Sequence, residues 1–129
     1  MVVRPDPDSG HCEFVQISRP PMWCGDLRGG SQLVPVDGSG DVRWLAIVHG
    51  VLAESPRRQY FHAWVGFDAR LRLRRVSDPF VLQGLQVEFA AGLVCRGDEL
   101  LLAWGMNDAE AWLGRIAVDD ALGSLGRGA

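Results

Sequence analysis

GGSQLVPVDGSGDVRWLAIVHG, residues 29–50, is the stretch that decides the fold. Residues 33–36 (LVPV) and 44–48 (WLAIV) are rich in β-branched and aromatic side chains, and Asp37, Gly38, Ser39, Gly40 and Asp41 between them are turn formers. A β-hairpin is expected. Antiparallel pairing lays the start of its first strand beside the end of its second, so Ser31 and Gln32 should lie near His49. That polar end is the candidate site.

Working outward, residues 52–59 form a polar loop containing Glu54, Ser55, Pro56, Arg57 and Arg58, and residues 60–67 suit a third strand. Asp68, Ala69 and Arg70 turn the chain. Leu71, Leu73 and Val76 then alternate loosely with Arg70, Arg72 and Arg74, the pattern of an edge strand with its arginines on a solvated face. Upstream, Pro5, Asp6, Pro7, Asp8, Ser9 and Gly10 are a turn cluster. Residues 12–18 follow as a short strand that Pro20 and Pro21 end, read as the outer edge of a unit whose earlier strands precede it. His11 beside Cys12 does not make a ligand pair, because adjacent side chains of a strand face opposite ways.

Downstream the scheme repeats. Residues 44–50 (WLAIVHG) align with 99–105 (ELLLAWG) at an offset of 55, and 60–71 (YFHAWVGFDARL) align with 111–122 (AWLGRIAVDDAL) at an offset of 51. The inner strand of the second copy is expected at 93–95, and no long helix is expected beyond a turn near 120–125. Four-stranded repeats of about 40 to 50 residues are the pattern of β-propeller blades, and the repeat favours that architecture over a β-sandwich. The expected fold is all-β: about two four-stranded antiparallel blades plus a leading strand. The expected division is a leading strand and linker at 1–28, a first blade at 29–80, and a second blade with its tail at 81–129.

Composition limits the function. A chain of 129 residues, 47% hydrophobic and with a net charge of −3, builds one modest core. Its 13 cationic residues are all arginine and do not form the dense basic surface that nucleic acid requires. Cys12, Cys24 and Cys95 are odd in number and lack a CxxC pair, so reduced thiols are expected rather than a disulfide framework or a zinc site. No apolar run is long enough for a signal peptide or a membrane span, and a cytoplasmic protein is expected.

RGGSQLVP (28–35), WLAIVHG (44–50), SDPF (77–80), EFAAGLV (88–94) and LLLAWGMNDAEAWLGRI (100–116), in this order and spacing, resemble the last blades of five-bladed propeller proteins related to glycoside hydrolase family 130. That family comprises mannoside phosphorylases and related glycosidases. The chain is most similar to an uncharacterised branch found near glycosyltransferases. The resemblance implies a carbohydrate-active propeller of which this chain is the C-terminal portion. The partner would be a glycoside or oligosaccharide, and a second chain or upstream blades would complete the ring. It places His49 where phosphorylases hold a histidine near phosphate, and inorganic phosphate is the co-substrate of such members. Glu88 and Asp108 fall at acidic positions facing the sugar, while Arg28, Ser31 and Gln32 fall in a segment carrying a basic residue and polar groups. The family's catalytic aspartic acid lies in an earlier blade that has no counterpart here. A non-catalytic scaffold or sugar-recognition module is therefore the alternative function. Independently of the resemblance, Trp44, Trp64, Trp104 and Trp112 read as packing residues.

Overall fold

The computed structural model describes residues 2–17, 27–37, 40–53 and 58–126. Gly38, Ser39, Pro20, Pro21, Cys24 and most of the expected polar loop, 54–57, lie outside the described residues. The described chain is antiparallel β-structure with one short helix. Strands β1 (Val2–Pro5) and β2 (Cys12–Gln16) form a hairpin. Cys12–Gln16 is thus a strand as expected, but its partner lies just before the Asp6–Gly10 turn. Asp6 builds that turn by accepting the backbone N–H of Asp8 and Ser9 and the Ser9 hydroxyl.

The first large sheet begins with two short pieces, β3 (Arg28–Gly30) and β4 (Val34–Pro35), both paired to β5 (Trp44–Ala53). Strands β6 (Gln59–Phe67) and β7 (Leu73–Val76) follow in order. The expected inner strand at 33–36 is shorter than the pattern suggested, only Val34–Pro35 pairing there, and a bulge between Arg28 and Gly30 shifts the register of the piece before it. Ser31 donates its N–H to the Ile47 carbonyl at 2.9 Å, while its Oγ accepts the Ile47 N–H at 3.0 Å. Gly30 permits this close approach, since a Cβ there would lie 2.1 Å from the Ile47 carbonyl oxygen.

The second sheet is a three-stranded meander of β8 (Glu88–Arg96), β9 (Glu99–Met106) and β10 (Glu110–Ala117). A fourth strand, expected from the repeat, is absent among the described residues. The sequence VDDALG instead makes helix α1 (Val118–Gly123), with Asp119 and Asp120 in its first turn, where the helix dipole favours acids. Val118, Ala121 and Leu125 fall on one buried face. Leu125 then bridges Ser77, and Gly126 donates to the Val76 carbonyl at 3.1 Å, clasping the tail to the first sheet.

The two large sheets share one core. Leu45, Ile47 and Trp64 of the first pack with Ala90, Leu93, Leu100 and Leu102 of the second. Fully burying each such aliphatic side chain contributes about 2 kcal/mol. The opposite side of the first sheet holds a separate cluster of Ala46, Ala63, Val65 and Val76.

Hydrogen-bond direction shows the sense of the stacking. Ile47 bonds toward β3, so Ala46 and Val48 bond toward β6, and their side chains point away from the second sheet. In β9 the Asp98 carbonyl accepts from Val118 on the β10 side, so Leu100 and Leu102 bond toward β10, and their side chains point toward the first sheet. Because L-residues couple bond direction to face, Leu100 and Leu102 correspond in kind to Ala46 and Val48. The front of the first sheet therefore meets the back of the second.

This corrects the repeat alignment. Ile47 lies opposite Trp64, and Leu102 lies opposite Gly114. The offset of 55 carries Ile47 to Leu102, yet the offset of 51 carries Trp64 to Arg115, one residue beyond Gly114. A one-residue slip exchanges the faces of a strand, so the two offsets are not both structural equivalences.

Candidate functional site

At one end of the sheets a cleft of about 730 Å³ opens between the start of β6, the 85–87 connection, the start of β8 and the β9–β10 turn. Tyr60 and Phe89 supply its aromatic surface, and Arg58, Gln59, Gln86, Asn107 and Asp108 supply polar groups. Asn107 and Asp108 have φ of 51° and 54°, and Ala109 donates to the Met106 carbonyl, which makes a type I′ turn. Both residues tolerate this left-handed backbone better than most, and the turn holds Asp108 out at the cleft wall. Asn107 is steadied by its N–H to the Val87 carbonyl and by its side-chain amide to Gln86 Oε1 at 3.3 Å.

His49 lies beneath this wall. Its ring centroid is 5.6 Å from that of Tyr60 and 6.4 Å from that of Phe89. Burial, followed by the positive charge of Arg28, lowers its pKa, so the ring is neutral at neutral pH. Its Nδ1 is buried without a hydrogen-bond partner. Arg28 is exposed and sits directly opposite His49 in the register.

Behind His49, and paired with it across the strands, is His62. It is 0% exposed. The Ala90 N–H donates to His62 Nε2 at 3.1 Å, so the proton of the neutral ring sits on Nδ1, facing Glu88 Oε1 at 3.7 Å. Burial first, then the charge of His49, pushes the His62 pKa down to about 4. The His62–Glu88 contact is therefore a neutral imidazole beside a carboxylate rather than an ion pair at neutral pH.

The six residues expected at the site separate into two groups. Asp108 lines the cleft, while His49 touches two of its lining residues and Arg28 stands beside His49. Ser31 is occupied by the bulge against Ile47. Gln32 lies between the sheets: its Nε2 donates to the Leu93 carbonyl, and its Oε1 accepts the Leu93 N–H at 3.4 Å. Glu88 is fully buried, and its carboxylate accepts the backbone N–H groups of Leu82, Gln83 and Gly84 at 2.5, 3.0 and 3.4 Å. These three hold backbone in place.

The residues not anticipated are Tyr60, Phe89, Gln86, Asn107 and Arg58. Their sequence signals are weak singly: the chain's one tyrosine next to a polar loop, and an Asn-Asp pair between two strands. No group of His, Cys, Asp and Glu among the described residues could hold a metal ion. No helix among them is long and apolar enough to cross a membrane. Comparison with protein-family models, with curated proteins and with solved structures finds no match.

Proposed function

We propose that the chain is a carbohydrate-recognition portion of a five-bladed propeller related to the glycosidases and glycoside phosphorylases, with the Tyr60–Phe89 cleft as its glycoside site. The observation that carries this reading is the pairing, in one cleft, of two aromatic side chains with amide, guanidinium and carboxylate groups. Aromatic rings accept the C–H faces of a pyranose, and the polar groups take its hydroxyls. The cleft has the size of a small-molecule site. The front-to-back stacking of the two sheets supports the propeller, because blades related by rotation about one axis meet in that sense. Exposed Arg28 beside His49 is the position that fits inorganic phosphate.

Recognition is favoured over catalysis within this chain. Glycoside cleavage ordinarily uses two carboxyl groups flanking the scissile bond. Among the described residues Asp108 is the one carboxylate lining the cleft, and Glu88 is committed to three backbone amides. A glycosidase or phosphorylase activity then needs its acid from another blade.

Calorimetric titration with mannosides and related oligosaccharides tests the reading, comparing wild type with Asp108→Asn and His49→Ala. Asp108→Asn keeps a residue that tolerates the turn and removes the charged acceptor, so affinity should fall by about 1 to 3 kcal/mol with little change in melting temperature. His49→Ala removes a contact of both aromatic rings and should weaken binding as well as stability. Absence of binding heat with every saccharide, or equal affinity in all three proteins, rejects the site.

A further inference from the structure

Four arginines crowd the end of the first sheet that lies away from the cleft: Arg70 and Arg72 on the β6–β7 turn, and Arg74 and Arg75 on β7. Arg75 is matched by Asp41, with its Nε 2.8 Å from Oδ1. Arg70 is exposed on the turn and has no ion pair among the described residues. Arg72 and Arg74 share one counter-charge, donating through Nε to the same oxygen of Asp68, Oδ2, at 2.9 and 3.0 Å.

Two cations are therefore held within about 6 Å of each other, Nε to Nε, against a single carboxylate. Asp68 has nothing further to offer them. Its Oδ1 already accepts the Arg70 and Arg72 backbone N–H groups at 2.8 and 3.0 Å, and its side chain is 12% exposed. The guanidinium groups are not covered in the same way: their side chains are 47% and 41% exposed, and their Nη atoms make no hydrogen bond among the described residues. The turn fixes the pair from below, since the Asp68 N–H donates to the Arg72 carbonyl at 3.0 Å and the Leu71 N–H to the Asp68 carbonyl at 2.9 Å. An arginine that grips an ion ordinarily gives up rotamer entropy, and anchoring at Nε has already restricted these two.

We propose that Arg72 and Arg74, anchored by Asp68, form a binding site for a phosphate group, carried by inorganic phosphate or by a phosphate monoester. Each guanidinium keeps both Nη groups for the ligand, so the pair supplies more donors than the two oxygens of a carboxylate can use, whereas a tetrahedral phosphate presents oxygens to both forks. A bound anion also relieves the repulsion between the two like charges. The site lies at the opposite end of β6 from the Tyr60–Phe89 cleft and is independent of the glycoside reading.

Nuclear magnetic resonance tests it by following the backbone amides and arginine Nε–H groups of the isotope-labelled protein during titration with inorganic phosphate, glycerol phosphate and acetate at constant ionic strength. At least one of the two phosphates should shift the Arg72 and Arg74 Nε–H signals saturably, with acetate binding about tenfold more weakly. Arg74→Gln should weaken phosphate binding about tenfold, and Arg74→Lys, which keeps the charge but not the fork, should weaken it as well. Arg96→Gln removes the same charge from the exposed end of β8 and should leave the affinity unchanged. Thermal unfolding followed by circular dichroism confirms that each variant is folded, and if Arg74→Gln melts below wild type, Arg74→Lys carries the comparison. Shifts that do not saturate, equal affinity for acetate, or equal losses in the Arg74 and Arg96 variants overturn the proposal. Phosphate that shifts His49 and its neighbours while Arg72 and Arg74 stay unmoved overturns it too, because the anion then sits beside Arg28.

Discussion

His62 Nδ1 and Glu88 Oε1 lie 3.7 Å apart with both side chains wholly buried, one from each large sheet. The separation exceeds a hydrogen bond. Each group spends its main capacity elsewhere: His62 accepts the Ala90 N–H, and Glu88 accepts three amides of the connection between the sheets. The pair therefore marks where the sheets are pinned together immediately behind the cleft.

The depressed His62 pKa makes stability depend on pH. Its value falls from 6.5 to about 4 on folding, so the unfolded chain binds the proton more readily. The neutral ring's contribution is complete above pH 6.5 and is lost as pH falls toward 4, up to on the order of 3 kcal/mol. Urea unfolding of wild type should show stability declining across that window. His62→Gln, which retains an acceptor for Ala90 but cannot titrate, should show a flatter profile there. Identical slopes for the two proteins would contradict the assignment.

Glu88→Gln tests the loop-fastening role. The replacement loses one acceptor oxygen and turns an N–H₂ group toward backbone donors, a cost of about 2 to 4 kcal/mol. Hydrogen exchange at the Leu82 and Gln83 amides should accelerate more than exchange in the middle of β9. Uniform acceleration across the chain would instead indicate global loosening.

Gln32 is expected to matter for stability and not for ligand affinity. Gln32→Leu leaves the Leu93 N–H and carbonyl without their side-chain partners, destabilising by about 1 to 3 kcal/mol. Chemical denaturation and saccharide titration of the same variant distinguish the roles. A large loss of affinity in a protein of wild-type stability would place Gln32 in the site.

Asp68 is the anchor of the β6–β7 turn. Burial pushes its pKa up, but hydrogen bonds from the Arg72 backbone and guanidinium, the Arg70 backbone and the Arg74 guanidinium outweigh that and bring it to about 2. The contribution is present above pH 3.8 and disappears as pH falls through 2. Asp68→Asn should lower the melting temperature at pH 7, and the difference from wild type should shrink as the pH approaches 2. The same turn holds Leu71 at φ 60°, a conformation that the Asp68 contacts help to hold.

Much of the strand order was legible in the residues themselves. Runs such as WLAIV and ELLLAW have side chains that favour extended backbone, and the turn residues between them mark the reversals, so local chemistry alone separates most of the strands. The same local reasoning placed Asp108 at a turn and His49 near the β3 start, but it ended the strand at His49, whereas β5 runs on to Ala53 and holds His49 in its interior. It could not decide register, because one residue of slip exchanges the faces while leaving composition and propensity unchanged. Only pairing in three dimensions put Ile47 opposite Trp64 and Leu102 opposite Gly114. Nor could it say which polar side chains would be consumed. Gln32, Glu88 and Asp108 are all polar residues near strand ends, and in isolation each could face a ligand. Folding brings the Leu93 backbone to Gln32 and the amides of 82–84 to Glu88, whereas Asp108 stays at an exposed turn. Desolvation sets the difference: a polar group covered by packing must be satisfied by whatever backbone lies within reach, and that neighbour is specified by the stacking of the sheets rather than by adjacency along the chain.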